Sequence, residues 1–235
     1  LLQRALRDAA NAVGVVFLVT TFATVWFLLQ AVKTIGLHIL PSKILLFFLP
    51  LWIIFQSVLS IGGFYKDTES FPPRLILFGV FPALILILVF FIFFRSTFIE
   101  RLPVRSLTLL HVVRIPVELV LYWLFLGSLV PRIMTFAGWN FDILSGIFAI
   151  IVYFIAFRAE KVDRRILVAF NVVGLILLFF IVGLAVMALP SPIQQLAFDQ
   201  PNRAVQFFPY SFLPTIVVPI VLFAHLAAGW KLVTG

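Results

Sequence analysis

The chain of 235 residues has no cysteine. Thiolate metal sites, cysteine nucleophiles, disulfide frameworks and thiol redox switches are therefore excluded. Charge is nearly as scarce, at 11% of residues against about 25% in an average soluble domain. So little polar surface cannot cover a chain that is 63% hydrophobic with a mean hydropathy of +1.21, so a soluble fold and a disordered chain are both ruled out. Phosphate-cradling glycine motifs are missing: there is no GxxxxGK[ST] and no GxGxxG after a strand. A serine-hydrolase elbow is absent too, since Leu144-Ser145-Gly146 lacks the glycine two positions before the serine.

What is present is apolar sequence in long runs. A helix crossing a hydrocarbon core of about 30 Å needs about 20 apolar residues. Seven runs approach that length: 12–32, 44–64, 75–94, 107–130, 141–157, 166–189 and 212–230. Stretches such as Leu84–Phe94 are continuously apolar and show no alternation, so they read as helices rather than barrel strands. The expected fold is an all-α integral membrane protein, a bundle of seven transmembrane helices forming one domain over residues 1–235. The first run follows Arg4 and Arg7 but is too long for a signal peptide and has no cleavage pattern after it, so it is expected to be retained. The chain opens on Leu1, and residues upstream of it are expected.

Basic residues set the expected direction. Ten Lys and Arg flank the runs on the side reached after the first span, against six on the N-terminal side. The densest block is Arg158-Ala-Glu-Lys161-Val-Asp-Arg164-Arg165. The positive-inside rule then puts the N-terminus out and the C-terminus in, in a plasma (inner) membrane. The net charge of +8 is spread over helix flanks with no basic strand interleaved by aromatics. It points to an anionic lipid surface as the partner and to no nucleic acid.

Only Arg114 among the basic residues falls inside a run. It belongs to His111-Val-Val-Arg114-Ile-Pro116-Val-Glu118, followed by Tyr122. At about 100° per residue, positions 111, 114, 118 and 122 share roughly 80° of arc and form a stripe about 16 Å long. A charge at mid-bilayer costs about 2.5–3.5 kcal/mol on the insertion scale, so the stripe must face the bundle interior or a wet cavity. Arg114 and Glu118 are one turn apart and can pair with each other. Two readings stay open: an internal ion pair that pins packing, or a site where Arg114 holds an anionic group and Glu118 relays a proton.

His225 in the seventh run and Asn171 in the sixth fall at a depth similar to that of His111, and His38 lies in the link between the first two runs. The three histidines thus gather on one side of the membrane. A His-based metal or haem site is conceivable from this, since neutral imidazole is the commonest protein metal ligand. Against it, the chain has no HExxH or HxxxH, and one facing pair is too few ligands; no metal ligand or cofactor is assigned. Retinal chemistry is excluded because the last run has no lysine, Lys231 lying at its end, and a receptor-type Asp-Arg-Tyr is replaced by Arg95-Ser-Thr.

Prolines 50, 82, 116, 214 and 219 interrupt four runs, which either hinges those helices or reflects the tolerance of membrane helices for proline. The segment from Pro190 to about Ser211, with Gln194, Phe198, Asp199 and Arg203, predicts an interfacial helix. With the link containing Arg132, Trp139, Asn140 and Asp142, it is expected to form a lid or an interfacial belt on the outer face. The candidate ligand-binding residues are His111, Arg114, Glu118, Tyr122, Asn171 and His225. The leading expectation is a carrier or sensor for a small-molecule or amphiphilic lipid ligand held in an intramembrane cavity. The alternatives are an inner-leaflet enzyme acting on a lipid or quinone through His111 and His225, and a helical subunit bound to partner subunits in a larger membrane complex.

Overall fold

The computed structural model describes residues 2–157 and 163–234, with the backbone alone for 2–10. Seven α-helical segments account for the apolar runs, and no strand occurs among the described residues. They are α1 (Leu2–Ile35), α2 (Leu40–Ile61), α3 (Ile76–Phe93), α4 (Val104–Leu126), α5 (Asp142–Ala156), α6 (Arg164–Met187) and α7 (Leu213–Thr234). Six of them are long and apolar enough to cross a membrane; α5, with 15 residues, is the exception. The chain is thus a multi-pass, all-helical membrane protein. Arg158 and Lys161 of the expected basic block lie outside the described residues, as do the side chains of Arg4 and Arg7.

Successive helices run in alternating directions, as cross-links at the two ends reveal. At one end Lys231 Nζ donates to Leu102 O at 2.9 Å and Arg105 Nε to Tyr153 Oη at 2.9 Å, tying the end of α7, the start of α4 and the end of α5. At the other end Ser211 Oγ donates to Ser60 Oγ at 2.9 Å, while Gln200 Nε2 donates to Phe125 O and Val130 O, tying the end of α2, the start of α7 and the end of α4. The helix α7 is central: 67% of its apolar window is buried, against 17% for α3 and 22% for α2. The outer faces carry Phe47, Ile54, Leu88, Ile92, Ile176 and Phe179, all well exposed, an arrangement suited to lipid and costly in water.

Prolines shape three helices by withholding an N–H. In α4, Pro116 cannot donate to Val112, and the helix tightens into a 3₁₀ turn over His111–Val113 before resuming at Arg114. In α3 and α7 a π turn, Ile76–Val80 and Leu213–Val217, runs up to the segment containing Pro82 or Pro219. Phe78 and Thr215 stand four residues before those prolines, and α2 supplies the missing donors. Gln56 Nε2 donates to Phe78 O at 3.0 Å, and Trp52 Nε1 donates to Thr215 O at 2.9 Å.

Two expectations about the links are corrected. The Pro190–Ser211 segment holds no interfacial α-helix, only a 3₁₀ turn at Ala204–Gln206. Pro190, Pro192, Pro201 and Pro209 interrupt it. It folds back on the helix ends instead, with Gln195 N–H donating to Met187 O and Asn202 N–H to Ala188 O, each at 2.8 Å. The link before α5 is not a purely external lid: Met134, Thr135, Asn140 and Asp142 are buried, while Arg132 and Trp139 stay exposed. The irregular backbone of this link is buried among the helices just before α5, the shortest of the seven.

Candidate functional site

Because the link before α5 turns inward, Asp142 at the first turn of α5 meets the middle of α4. Arg114 Nε donates to Asp142 Oδ2 at 2.7 Å and Arg114 Nη2 to Asp142 Oδ1, a bidentate fork. Arg114 Nη2 also donates to Gly174 O at 3.2 Å, and Arg114 Nη1 donates to His225 Nε2 at 3.0 Å. The guanidinium is therefore engaged by α5, α6 and α7 at once. The pairing of Arg114 with Glu118 expected from their spacing is replaced by this link between helices. A bidentate carboxylate facing α4 across the interface matches the planar fork better than a neighbour one turn away.

The imidazole of His225 is fixed from both sides. Arginine only donates, so Nε2 is the acceptor and Nδ1 carries the hydrogen. Nδ1–H then donates to Asn171 Oδ1 at 3.1 Å, and Asn171 Nδ2 donates to Leu167 O at 2.8 Å. The ring is neutral in this arrangement. His111 stacks on it at 3.7 Å between centroids and 21° between planes, with Phe170 edge-on at 5.5 Å. Both nitrogens of His111 are buried without a hydrogen-bond partner. Stacked rings direct their nitrogens along parallel planes, and both nitrogens of His225 are already taken, by Arg114 and Asn171. Among the described residues no group of three or more His, Asp or Glu side chains is placed to hold a metal ion.

Close helix contacts make room for this network. A Cβ on Gly174 would collide with His225 Cε1, and one on Gly146 would come within 2.7 Å of Ile115 Cγ1. Only hydrogen at these positions lets α6 approach α7 and α5 approach α4.

One turn beyond Arg114, Glu118 takes a different partner. Asn140 Nδ2 lies 2.6 and 2.7 Å from its two carboxylate oxygens and 3.0 Å from Met134 O, while Asn140 Oδ1 accepts from Asp142 N–H at 2.9 Å. Glu118 and Asp142 also line a cavity of about 150 Å³ between α3, α4, α6 and α7. Its walls are otherwise mostly apolar, including Val117, Leu121, Leu178, Ile181, Pro214 and Val218. Asn202 contributes the remaining side-chain amide, and its Oδ1 is buried without a partner.

Of the six residues singled out by sequence, five therefore fall into one neighbourhood: His111, Arg114, Glu118, Asn171 and His225. Tyr122 does not join them; it is half-buried and stacks on Phe136 at 4.8 Å. His38 is exposed in the link between α1 and α2. Asn140, Asp142, Gly174 and Asn202 belong to the neighbourhood but were not among the six. Asp142 carried a weak signal, an acid at the very edge of an apolar run. Asn202 and Gly174 carried none, since their roles depend on what packs against them.

A protein-family profile described as a domain of unknown function (DUF8737) matches residues 72–233. The chain belongs to the DUF8737 family. The matched stretch runs from just before α3 to the end of α7, so every residue of the network and cavity lies in the DUF8737 portion. No curated protein and no solved structure matches the chain.

Proposed function

We propose that this DUF8737 protein binds a small or amphiphilic ligand in the cavity between α3, α4, α6 and α7, as a carrier or sensor in the plasma (inner) membrane. The observation that carries this is a cavity of about 150 Å³ whose mostly apolar wall is interrupted by the Glu118 carboxylate at mid-helix depth. Intramembrane ionisable groups beside a cavity are functional candidates by default, and an apolar pocket with a few convergent polar groups is the usual form of a ligand site. The Arg114–Asp142–His225–Asn171 network supports it as a rigid wall that holds the pocket's polar edge in place. His111, Arg114, Asn171 and His225 act in this reading by positioning, and Glu118 by contact. Tyr122 closes the far side of α4 against the inward-turned link.

The same proposal takes all seven helices of the single domain as spans, with the N-terminus out and the C-terminus in. Support comes from the excess of basic residues on the side of the α3–α4 link and from the alternating end-to-end contacts. The short α5 is completed by the link before it, which enters from the other end.

An apolar cavity of about 150 Å³ holds a benzene-sized body. Toluene is expected to raise the unfolding temperature of the protein in nanodiscs, and Val182→Phe, which puts a ring into the space toluene would take, to remove that effect. An equal response in both proteins overturns the binding reading. Flux of a bound probe into proteoliposomes separates carrier from sensor.

A further inference from the structure

The few polar side chains that line the cavity all carry acceptor oxygens. Glu118 and Asp142 carry carboxylates, and Asn202, which also lines the cavity, has a buried amide oxygen that accepts nothing from the protein. The oxygens of Asp142 are occupied by Arg114, whereas Glu118 receives only the Asn140 amide, which is shared with Met134 O. The nearest donors are thus spoken for, and the unmet capacity on the wall is for accepting.

Charge makes the same point independently. The network contains one guanidinium and two carboxylates, and its His225 is neutral because Nε2 accepts from Arg114. Among the described residues no second cation reaches the network: the other salt bridges, Arg74–Asp67 and Arg95–Glu100, lie outside it in the links. An uncompensated carboxylate at low dielectric is relieved either by taking up a proton or by an occupant that returns a positive charge, and a cationic head group does the latter.

Resting on the ligand-binding reading above, we propose that the occupant is a cationic amphiphile: a protonated amine on an apolar body about the size of a benzene ring. An ammonium supplies three donors and one positive charge, which suits the Glu118 carboxylate. A hydroxyl would serve the acceptors but leave the charge. A bare metal cation is poorly served, because hard cations take about 6–8 oxygen ligands and the remaining wall is hydrocarbon. A carboxylate or phosphate head group would face like charge and unmatched acceptors.

The test compares three probes that share a phenyl ring and differ in head group, on the full chain in nanodiscs at neutral pH: benzylamine, toluene and phenylacetate, with affinity read from the concentration dependence of the unfolding temperature. Benzylamine is expected to bind at least tenfold more tightly than either of the others. Glu118→Gln is expected to bring benzylamine down to the level of toluene and to leave toluene unchanged. Equal binding of benzylamine and toluene, tighter binding of phenylacetate, or an amine preference that survives Glu118→Gln overturns the head-group assignment while the cavity reading stands. Binding of none of the three overturns both. If Glu118→Gln does not fold, the order of the three probes on the unsubstituted protein decides.

Discussion

Arg114 is the residue on which the interior depends, because its guanidinium makes four hydrogen bonds to three groups, one on each of three other helices. Removing one member of a buried ion pair strands the other in low dielectric, whereas replacing both with apolar side chains is often close to neutral. Asp142→Ala is therefore expected to destabilise the protein by about 3–5 kcal/mol. Arg114→Met combined with Asp142→Leu is expected to recover most of that loss. Chemical denaturation in micelles, followed by circular dichroism, measures both. A double variant no better than the single one overturns the pairing. At this scale the sequence displayed Arg114 and Glu118 plainly, since charge inside an apolar run has few places to go. It did not display their partners: Asp142 and Asn140 look like ordinary link residues until the link turns inward.

At the scale of elements, α2 acts as a splint for two proline-interrupted helices. Trp52 and Gln56 are four residues apart on one face of α2 and donate to the carbonyls that precede Pro219 and Pro82 by four positions. Tyr65 Oη donates in turn to Gln56 Oε1 at 2.5 Å, which orients the amide, and burial raises the pKa of the Tyr65 phenol so that it stays a donor. A buried acceptor left without its partner costs about 1–3 kcal/mol. Gln56→Leu is expected to fall in that range by thermal or chemical unfolding. Its cost is expected to shrink in a Pro82→Ala background, where the helix regains its own N–H. Identical costs in the two backgrounds would show that the amide does not serve this carbonyl. The prolines were visible in the sequence, but the choice between hinge and ordinary tolerance was not. What fills the vacated bond comes from a helix some 20 or 160 residues away in the chain, and that partner argues for a braced element rather than a free hinge.

For the whole molecule, the proposed direction in the membrane is open to a simple measurement because the chain has no cysteine. Thr68 in the α2–α3 link and Ser96 in the α3–α4 link are both exposed and lie at opposite ends of α3. With the N-terminus out, Thr68→Cys is expected to react with a membrane-impermeant maleimide on intact cells, and Ser96→Cys only after permeabilisation. The reversed pattern overturns the proposed direction. The alternating helix directions make this one comparison sufficient for the link order, since each crossing exchanges the ends.

The sequence by itself determined that this is a helical membrane protein and where its apolar helices run, to within a few residues at most ends. Those properties are local: hydropathy summed over about 20 neighbours decides whether a segment suits lipid, whatever the rest of the chain does. It also marked five residues of the central neighbourhood, because polar groups in such segments must face inward. Only the tertiary structure decided which groups they meet. The Arg114–Asp142 fork, the His111–His225 stack and the Glu118 cavity each join residues from different helices. Such contacts depend on which helices are neighbours and how closely glycines 146 and 174 let them approach, and no window along the chain contains that information.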